Sequence, residues 1–479
     1  MAALTSACAH AAPDPRAPKM IYEIFTRSFG DLNTIQSKLD YIAELGADTI
    51  WLTPIFKSPS YHGYDVSDYQ SIQPEFGDLP AFQSLLSAAH SHGIKILLDV
   101  PVNHTSLAHP WFTAQSDLYL WSPTPLDWPK INLKKNESPE DHWHLFSGSY
   151  YFSSFSFGMP DLNWHSSVVL SRVEQIFQYW SSLGVDGFRL DAAKYLIKGP
   201  EGEQNMPETH ALWKQIVAST RKSAPNAYFV GEVWDSEANI APYYGTGDEL
   251  DAAFNFPVEG SLRSSLASGN SASFVQALNT QLKTELSPFF DAPFAGNHDQ
   301  DRLATAIDGD SDLQKLAELA VMTLPGTPVL YYGDELGMKN GTGPNAKGDL
   351  AKRQPMDWDA EKTQDTDHSS ILNFYRALGR MRNAQAVLNS GTLANVSTIG
   401  ASGATYTRVD TSLADGNAQH ALIILNFGNQ PLAARAISLS SAPSSVRAVW
   451  GSASASWSDN QKKLLIGSVP AKSGSVITY

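Results

Sequence analysis

Eight short apolar segments alternate with helical patterns along this chain of 479 residues, and no other feature limits its fold so tightly. The segments cover residues 20–29, 47–54, 94–100, 185–190, 227–233, 252–256, 292–296 and 327–332. Between them apolar residues recur at helical spacing. Ile35, Leu39, Ile42 and Leu45 predict a helix over 33–46, and Val169, Val173, Ile176 and Trp180 predict one over 165–182. A helix over 79–92 has Asp78 as its N-cap and Gly93 as its stop, and two more are expected over 208–221 and 371–382. Eight strands alternating with helices is the count of a closed (β/α)8 barrel. An open doubly wound sheet is the alternative, but no glycine-rich phosphate turn follows the first strand. The predicted fold class is therefore α/β, a TIM barrel.

Two stretches interrupt the alternation. Residues 105–164 are rich in Ser, Pro, Trp and Tyr without a clear period, too long for an ordinary loop. They predict an inserted domain after the third strand. Residues 392–479 are Ser- and Ala-rich with short β runs, and predict a C-terminal antiparallel β-sandwich. The expected layout is a barrel over 19–104 and 165–386, the insertion over 105–164, and the sandwich over 387–479. Residues 1–18 read as a disordered tail or a signal remnant. Ala9-His10-Ala11 fits a small-residue cleavage site and Ser6-Ala7-Cys8 resembles the end of a lipoprotein box, although no charged or apolar leader region precedes either. The expectation from these fragments is an exported protein, with a cytoplasmic location as the alternative.

Four strand ends carry acid or imidazole groups: Asp99 with His104, Arg189 with Asp191, Glu232, and His298 with Asp299. In a barrel these ends meet on one face. Arg189 and Asp191, two residues apart, share a strand face, and the cation favours an ionised carboxylate. That pair alone reads equally well as a structural ion pair. The recurrence at four strand ends favours chemistry, and convergent carboxylates suit a neutral, polyhydroxylated substrate. Retaining glycoside hydrolysis needs one ionised carboxylate and one protonated carboxyl, and Glu232, closing an apolar strand, suits the second. A divalent-metal hydrolase is a competing reading, although no HExxH helix is present. A non-catalytic sugar-binding protein would keep the fold without needing all three carboxylates. The net charge of −15 argues against a polyanion as partner. No apolar run reaches the ~18 residues of a membrane span, and a single cysteine excludes an internal disulfide framework.

At these residues the sequence resembles the α-amylase family, glycoside hydrolase family 13. DVPVNH at 99–104, GFRLDAAKY at 187–195, GEVW at 231–234 and GNHD at 296–299 match its four main motifs in order. GADTIWLTP at 46–54 and GTPVLYYGDE at 326–335 match flanking barrel strands, and MPDLN at 159–163 its fifth motif, in a form intermediate between the oligo-1,6-glucosidase and neopullulanase groups. The resemblance implies Asp191 as nucleophile, Glu232 as general acid/base and Asp299 as the holder of sugar hydroxyls. It also implies substrate contacts from His62, Tyr64, His104, Arg189, Lys194, Tyr195, Trp234 and His298. Asn103, Asp161 and the carbonyl of Tyr195 match positions that bind calcium in many members; no organic cofactor is implied. The implied substrate is an α-glucan or malto-oligosaccharide, handled by a monomer. Two departures stand out. The short loop at 28–33 lacks the Asp- and Asn-rich cation loop of the glucosidase branch, and Tyr61 replaces the aspartate of exo-acting members, which implies a cleft open at both ends.

Overall fold

The computed structural model describes residues 16–128, 137–284, 291–344, 346–411, 419–439 and 442–479; the cleavage-site and lipoprotein-box fragments at 6–11 lie outside them. Eight parallel strands are present: β1 (Ile21–Ile24), β2 (Thr49–Leu52), β3 (Lys95–Val100), β4 (Gly187–Leu190), β5 (Tyr228–Gly231), β6 (Ala252–Phe254), β7 (Asp291–Ala292) and β8 (Val329–Tyr331). They hydrogen-bond in sequence order, and β1 also pairs with β8. A parallel bridge between Phe294 and Val329, with the Val329 N–H donating to the Pro293 carbonyl at 2.9 Å, closes the ring. The predicted (β/α)8 barrel is the observed fold.

Every residue of β1, β2, β4 and β5 is buried, because each strand faces packed side chains on both sides. Ile21, Trp51, Leu97, Tyr228, Phe254 and Phe294 fill the barrel interior, while Tyr22, Ile50 and Phe188 pack outward against the helices. That alternation matters for function. It turns Glu23, Asp99 and Arg189, two residues on from inward-facing neighbours, toward the axis at the carboxyl end. At the opposite end Arg16 pairs with Asp251 at 3.1 Å, Pro18 accepts a hydrogen bond from Thr327 and Ala17 packs against the interior cluster.

The helix with Asp78 at its N-cap runs over Leu79–Ser91, and the Asp78 carboxylate accepts the Ala81 N–H at 2.9 Å. The single helix expected over 33–46 is instead two, Leu32–Ser37 and Leu39–Glu44, parted where Lys38 leaves helical geometry at φ −110° and ψ 12°. The first strand is also shorter than its β-rich composition predicts, because Thr26–Phe29 turns into a helical segment.

The β3–β4 connection contains a three-stranded antiparallel sheet of Trp121–Ser122, Trp143–Phe146 and Ser149–Phe152. Its return leg pairs back onto the barrel: Leu162 N–H donates to the Asn103 carbonyl at 2.9 Å and Thr105 N–H to the Pro160 carbonyl at 3.1 Å. Beyond Thr392 two antiparallel sheets, of five and three strands, form the C-terminal sandwich. Arg408 anchors it by donating to the Thr323 carbonyl at 2.9 Å, at the end of the helix Ser311–Thr323, where the helix dipole favours cations. No helix among the described residues is long and apolar enough to cross a membrane.

The helical ring closes where Gly379, in Ile371–Ala384, meets Leu45 and Gly46. A Cβ on Gly379 would lie 1.9 Å from the Leu45 carbonyl oxygen. Gly379→Ala is expected to destabilise the protein by about 3 kcal/mol. Gly260→Ala, inside a helix with open space at that position, is expected to stabilise it by about 0.5–1 kcal/mol. Urea titrations of the two variants check the contrast.

Candidate active site

Arg189 lies at the centre of the site, essentially inaccessible to solvent. Strand register sets Asp99 of β3 and Val230 of β5 directly beside it, so Asp191 and Glu232 follow two residues further along the same faces. Its Nη1 donates to Asp99 at 2.9 Å and to Asp191 Oδ1 at 2.8 Å, and Nη2 lies 3.1 Å from Glu232 Oε2. Asp99 is further held by Trp51 Nε1 at 3.1 Å and the Tyr64 hydroxyl at 3.0 Å. Immediately after Asp191 the chain turns through Ala192 in the left-handed region, at φ 47° and ψ 40°. That turn costs on the order of 1 kcal/mol for a residue with a side chain. It aims the Ala192 N–H at Glu232 Oε2, 2.9 Å away, and ties the two carboxylate-bearing loops together.

Asp299 follows β7. Arg353, in the loop after β8, donates to Asp299 Oδ1 at 2.8 Å and to the His298 carbonyl at 2.9 Å. His298 Nε2 stands 3.2 Å from Asp299 Oδ2 and 2.7 Å from the Tyr64 hydroxyl, and its ring stacks on Tyr64 with centroids 5.6 Å apart. Burial raises the carboxyl groups of Asp191 and Glu232 above their ordinary values, against the opposing pull of Arg189. Burial also pushes Asp299 upward, but His298 and Arg353 outweigh it and hold Asp299 below the ordinary carboxylate range. The expectation that Glu232 is raised by burial agrees with this environment. For Asp191 the cation does not fully offset burial.

His104 is buried, and burial lowers it to about 4, so its ring is neutral near pH 7. Asn103 Nδ2 donates to Nδ1 at 3.2 Å, which assigns the ring proton to Nε2, a buried donor without a well-aligned protein acceptor. His62 accepts the Tyr64 N–H on Nδ1 at 3.1 Å and keeps a quarter of its side chain exposed. These residues gather at the carboxyl ends of the barrel strands. Lys194, Tyr195 and Trp234 lie to one side of them. The Lys194 ammonium is committed to the Trp234 carbonyl at 2.7 Å and Asp235 at 3.2 Å, so it braces that wall. Trp234 is half-exposed and stacks on Phe256 at 4.4 Å, nearly parallel. The Tyr195 ring meets Phe155 of the insertion at 5.3 Å, and Phe155 also meets His104 at 5.5 Å.

The calcium expectation is corrected by Lys198. Asn103 Oδ1, Asp161 and the Tyr195 carbonyl do converge, but around its buried ammonium, at 2.5, 2.8 and 2.5 Å. An ammonium has three N–H donors, and three acceptors saturate it. Asp161 Oδ1 and Oδ2 also accept from the Ser154 N–H and hydroxyl. The residues present therefore do not fit a calcium ion, which wants six to eight oxygen ligands. Among the described residues no group of three or more His, Cys, Asp or Glu side chains is placed to hold a metal ion.

Sequence reasoning missed Glu23, Phe155, Lys198 and Arg353 as site residues, and left Asp99 as a strand-end acid. Lys198 is three residues beyond Tyr195, close enough to a recognised motif to have been weighed as an acceptor-facing cation. Arg353 follows no strand signature, and nothing local marks it.

A barrel that gathers carboxylates, histidines and aromatic rings at the carboxyl ends of its strands has the layout of an enzyme active site. The family model "Alpha amylase, catalytic domain" matches residues 17–391. Alpha-amylase 3 of Dictyoglomus thermophilum is 35% identical over 423 residues, covering 79% of this chain and 80% of that protein. Trehalose synthase of Thermus thermophilus is 32% identical over 404 residues, covering 72% of this chain but 40% of the relative. Among solved structures, the α-amylase from H. orenii superposes with a TM-score of 0.82 at 30% identity, covering 97% of this chain and 100% of that one. The chain belongs to the α-amylase family, whose members are glycoside hydrolases and transferases.

If Lys198 stands where an ion would, chelation with EDTA is expected to leave thermal stability and activity unchanged. Lys198→Met leaves the Asp161 carboxylate buried and unpaired, a loss of about 3–5 kcal/mol. Thermal unfolding of both proteins, with and without EDTA and calcium, checks this; destabilisation of the unmodified protein by EDTA would contradict it.

Proposed function

We propose that the protein is a retaining α-glucan hydrolase that cleaves α-1,4-glucosidic bonds in starch and malto-oligosaccharides by double displacement. The observation that carries this reading is the single Arg189 guanidinium holding both Asp191 and Glu232. Retaining enzymes use a carboxyl pair roughly 5–5.5 Å apart, closer than an inverting pair with water between its members. In the proposed mechanism Asp191 attacks the anomeric carbon while Glu232 protonates the leaving oxygen, and Glu232 then activates the water that releases the sugar. Asp299, kept ionised by its two cationic neighbours, accepts from hydroxyls of the same ring, and His104, Tyr64 and His298 bound that ring. The neutral His104 suits a hydroxyl acceptor.

Transfer to a second sugar is the alternative outcome of the same covalent intermediate. The relatives named trehalose synthase and 4-α-glucanotransferase favour keeping it in view. Tyr61, in place of an aspartate, supports internal cleavage over release of terminal glucose. Its hydroxyl accepts from Arg353 at 3.1 Å, a contact that directs Arg353 toward the wall.

Asp191→Asn and Glu232→Gln are each expected to lower kcat by about 10³-fold or more without loss of fold, read by reducing-sugar release and circular dichroism. Proton NMR of the first-formed product is expected to show the α-anomer from an α-linked substrate. A time course on soluble starch, maltotriose, cyclodextrin and sucrose separates the readings. Early mixed oligosaccharides from starch support the proposal; glucose alone, or activity confined to sucrose, overturns it.

A further inference from the structure

Glu23 is a carboxyl group inside the barrel, with no exposure to solvent and outside the proposed double displacement. It follows the inward-facing Ile21 on β1, where a barrel interior ordinarily places an apolar residue. Burying a charge there is costly unless it is paired. Its Oε1 accepts from His298 Nδ1 at 2.6 Å and from the His298 N–H at 3.3 Å.

The proton count around that ring follows from the partners. The Tyr64 hydroxyl has one hydrogen and gives it to Asp99 Oδ2 at 3.0 Å; burial raises Asp99 to about 7, but Arg189 Nη1 on both its oxygens and Trp51 Nε1 on Oδ2 hold it as an acceptor. With that hydrogen given to Asp99, the Tyr64 oxygen accepts from His298 Nε2 at 2.7 Å. Asp299 Oδ2, 3.2 Å away, is a second acceptor on the same side. Nδ1 meanwhile faces a carboxylate. Both nitrogens therefore donate, which makes the ring a cation.

We propose that Glu23 is a positioning residue: it holds His298 from beneath through Nδ1, keeps the ring doubly protonated, and thereby fixes Asp299 as an ionised acceptor for sugar hydroxyls. The inference rests on the glycosidase reading for its effect on turnover, but not for the state of the ring. Charged and titratable groups face the ring from each neighbouring strand end: Glu23 from β1, Tyr64 after β2, Asp99 from β3, Arg189 and Asp191 from β4, Asp299 after β7 and Arg353 after β8. Asp334 and Tyr331 stand near Glu23 from the β8 side. Burial disfavours the cation, but Asp299 and Glu23 outweigh it and raise His298 above its ordinary value, with Arg353 opposing. A raised imidazole keeps its charge below its folded pKa and loses it as pH rises through that value. Removing the Glu23 charge moves that loss to lower pH.

The test is a 15N titration of the histidine side chains in the intact protein, with His298 assigned from its absence in His298→Asn. In the unmodified protein His298 is expected to show two similar, protonated nitrogens at about pH 7. In Glu23→Gln the ring is expected to reach the neutral pattern at least about one pH unit lower. The alkaline limb of kcat/KM is expected to move in the same direction, so the loss in Glu23→Gln is about tenfold greater on the alkaline side than on the acid side. Glu23→Asp, which restores the charge, is expected to recover part of the shift. A neutral His298 at pH 7 in the unmodified protein overturns the proposal without need of any variant, as does a titration that Glu23→Gln leaves unmoved. Absence of turnover on every α-glucoside would overturn the glycosidase reading instead, and leave the histidine spectrum to be read on its own.

Discussion

The site depends on one buried guanidinium. Arg189 on β4 reaches three carboxyl groups, Asp99 on β3 and Asp191 and Glu232 just past the ends of β4 and β5. Those groups could not share a buried space without a cation among them. A lysine would not serve, because a point charge cannot offer separate, planar donors to three partners. The parallel register supplies the rest. Adjacent strands place Asp99 and Val230 at the level of Arg189, and the pleat then delivers Asp191 and Glu232 to the rim. One cation against three acids leaves the cluster short of positive charge. Burial then raises all three carboxyls, Asp99 to about 7, so a proton is retained within the cluster more readily than in water. On the proposed reading, which uses one ionised and one protonated carboxyl, that charge deficit favours keeping the single proton.

Fixed cations elsewhere perform a similar task at a distance. Arg353 pins Asp299 and the His298 carbonyl from the loop after β8. Lys198 draws Asn103, Asp161 and Tyr195 together where the inserted domain meets the barrel. The second of these fixes a joint. Asn103 orients His104 through its side chain, so the ammonium that holds Asn103 also holds the cleft's neutral histidine. A tethered lysine cannot dissociate, and the joint is thereby independent of ion concentration.

The strand ends were legible because each announces itself locally: an apolar run stops and an acid or histidine follows. Asp99, Asp191, Glu232, His298 and Asp299 were found this way, and the barrel with them, since eight such runs admit few topologies. What stayed hidden was tertiary. Glu23 lies mid-strand in a segment whose inward face cannot be told from its outward face by periodicity, since both are buried. Arg353 sits in a loop and is aimed by the closure of the barrel. Lys198 shows the reverse failure. Its neighbours were read as an oxygen cage, which is correct chemistry for the acceptors, but the occupant is supplied by the chain itself. The split of the 33–46 helix at Lys38 was likewise invisible, because a continuous apolar stripe does not record a single residue's backbone turn.

The two sides of the cleft are built from different materials, and that difference bears on what the fold can vary. Around Asp299 and His298 the walls are charges locked to one another: Glu23, Arg353, Asp99 and Arg189 leave little freedom to replace one without unpairing another. Beyond Glu232 the walls are rings, Trp234 on Phe256 and Tyr195 against Phe155, braced by Lys194 from behind. Rings offer a face to any sugar and little directional demand, so exchanging one costs packing and no charge balance. On the proposed reading the first side holds the glucose that becomes covalently bound, and the second meets whatever arrives to receive it. Relatives named alpha-amylase, trehalose synthase and 4-alpha-glucanotransferase are 30–35% identical to this chain over the matched residues. Such a division lets the receiving partner change from water to sugar by remodelling the ring side alone, while the charge network that makes the intermediate stays intact.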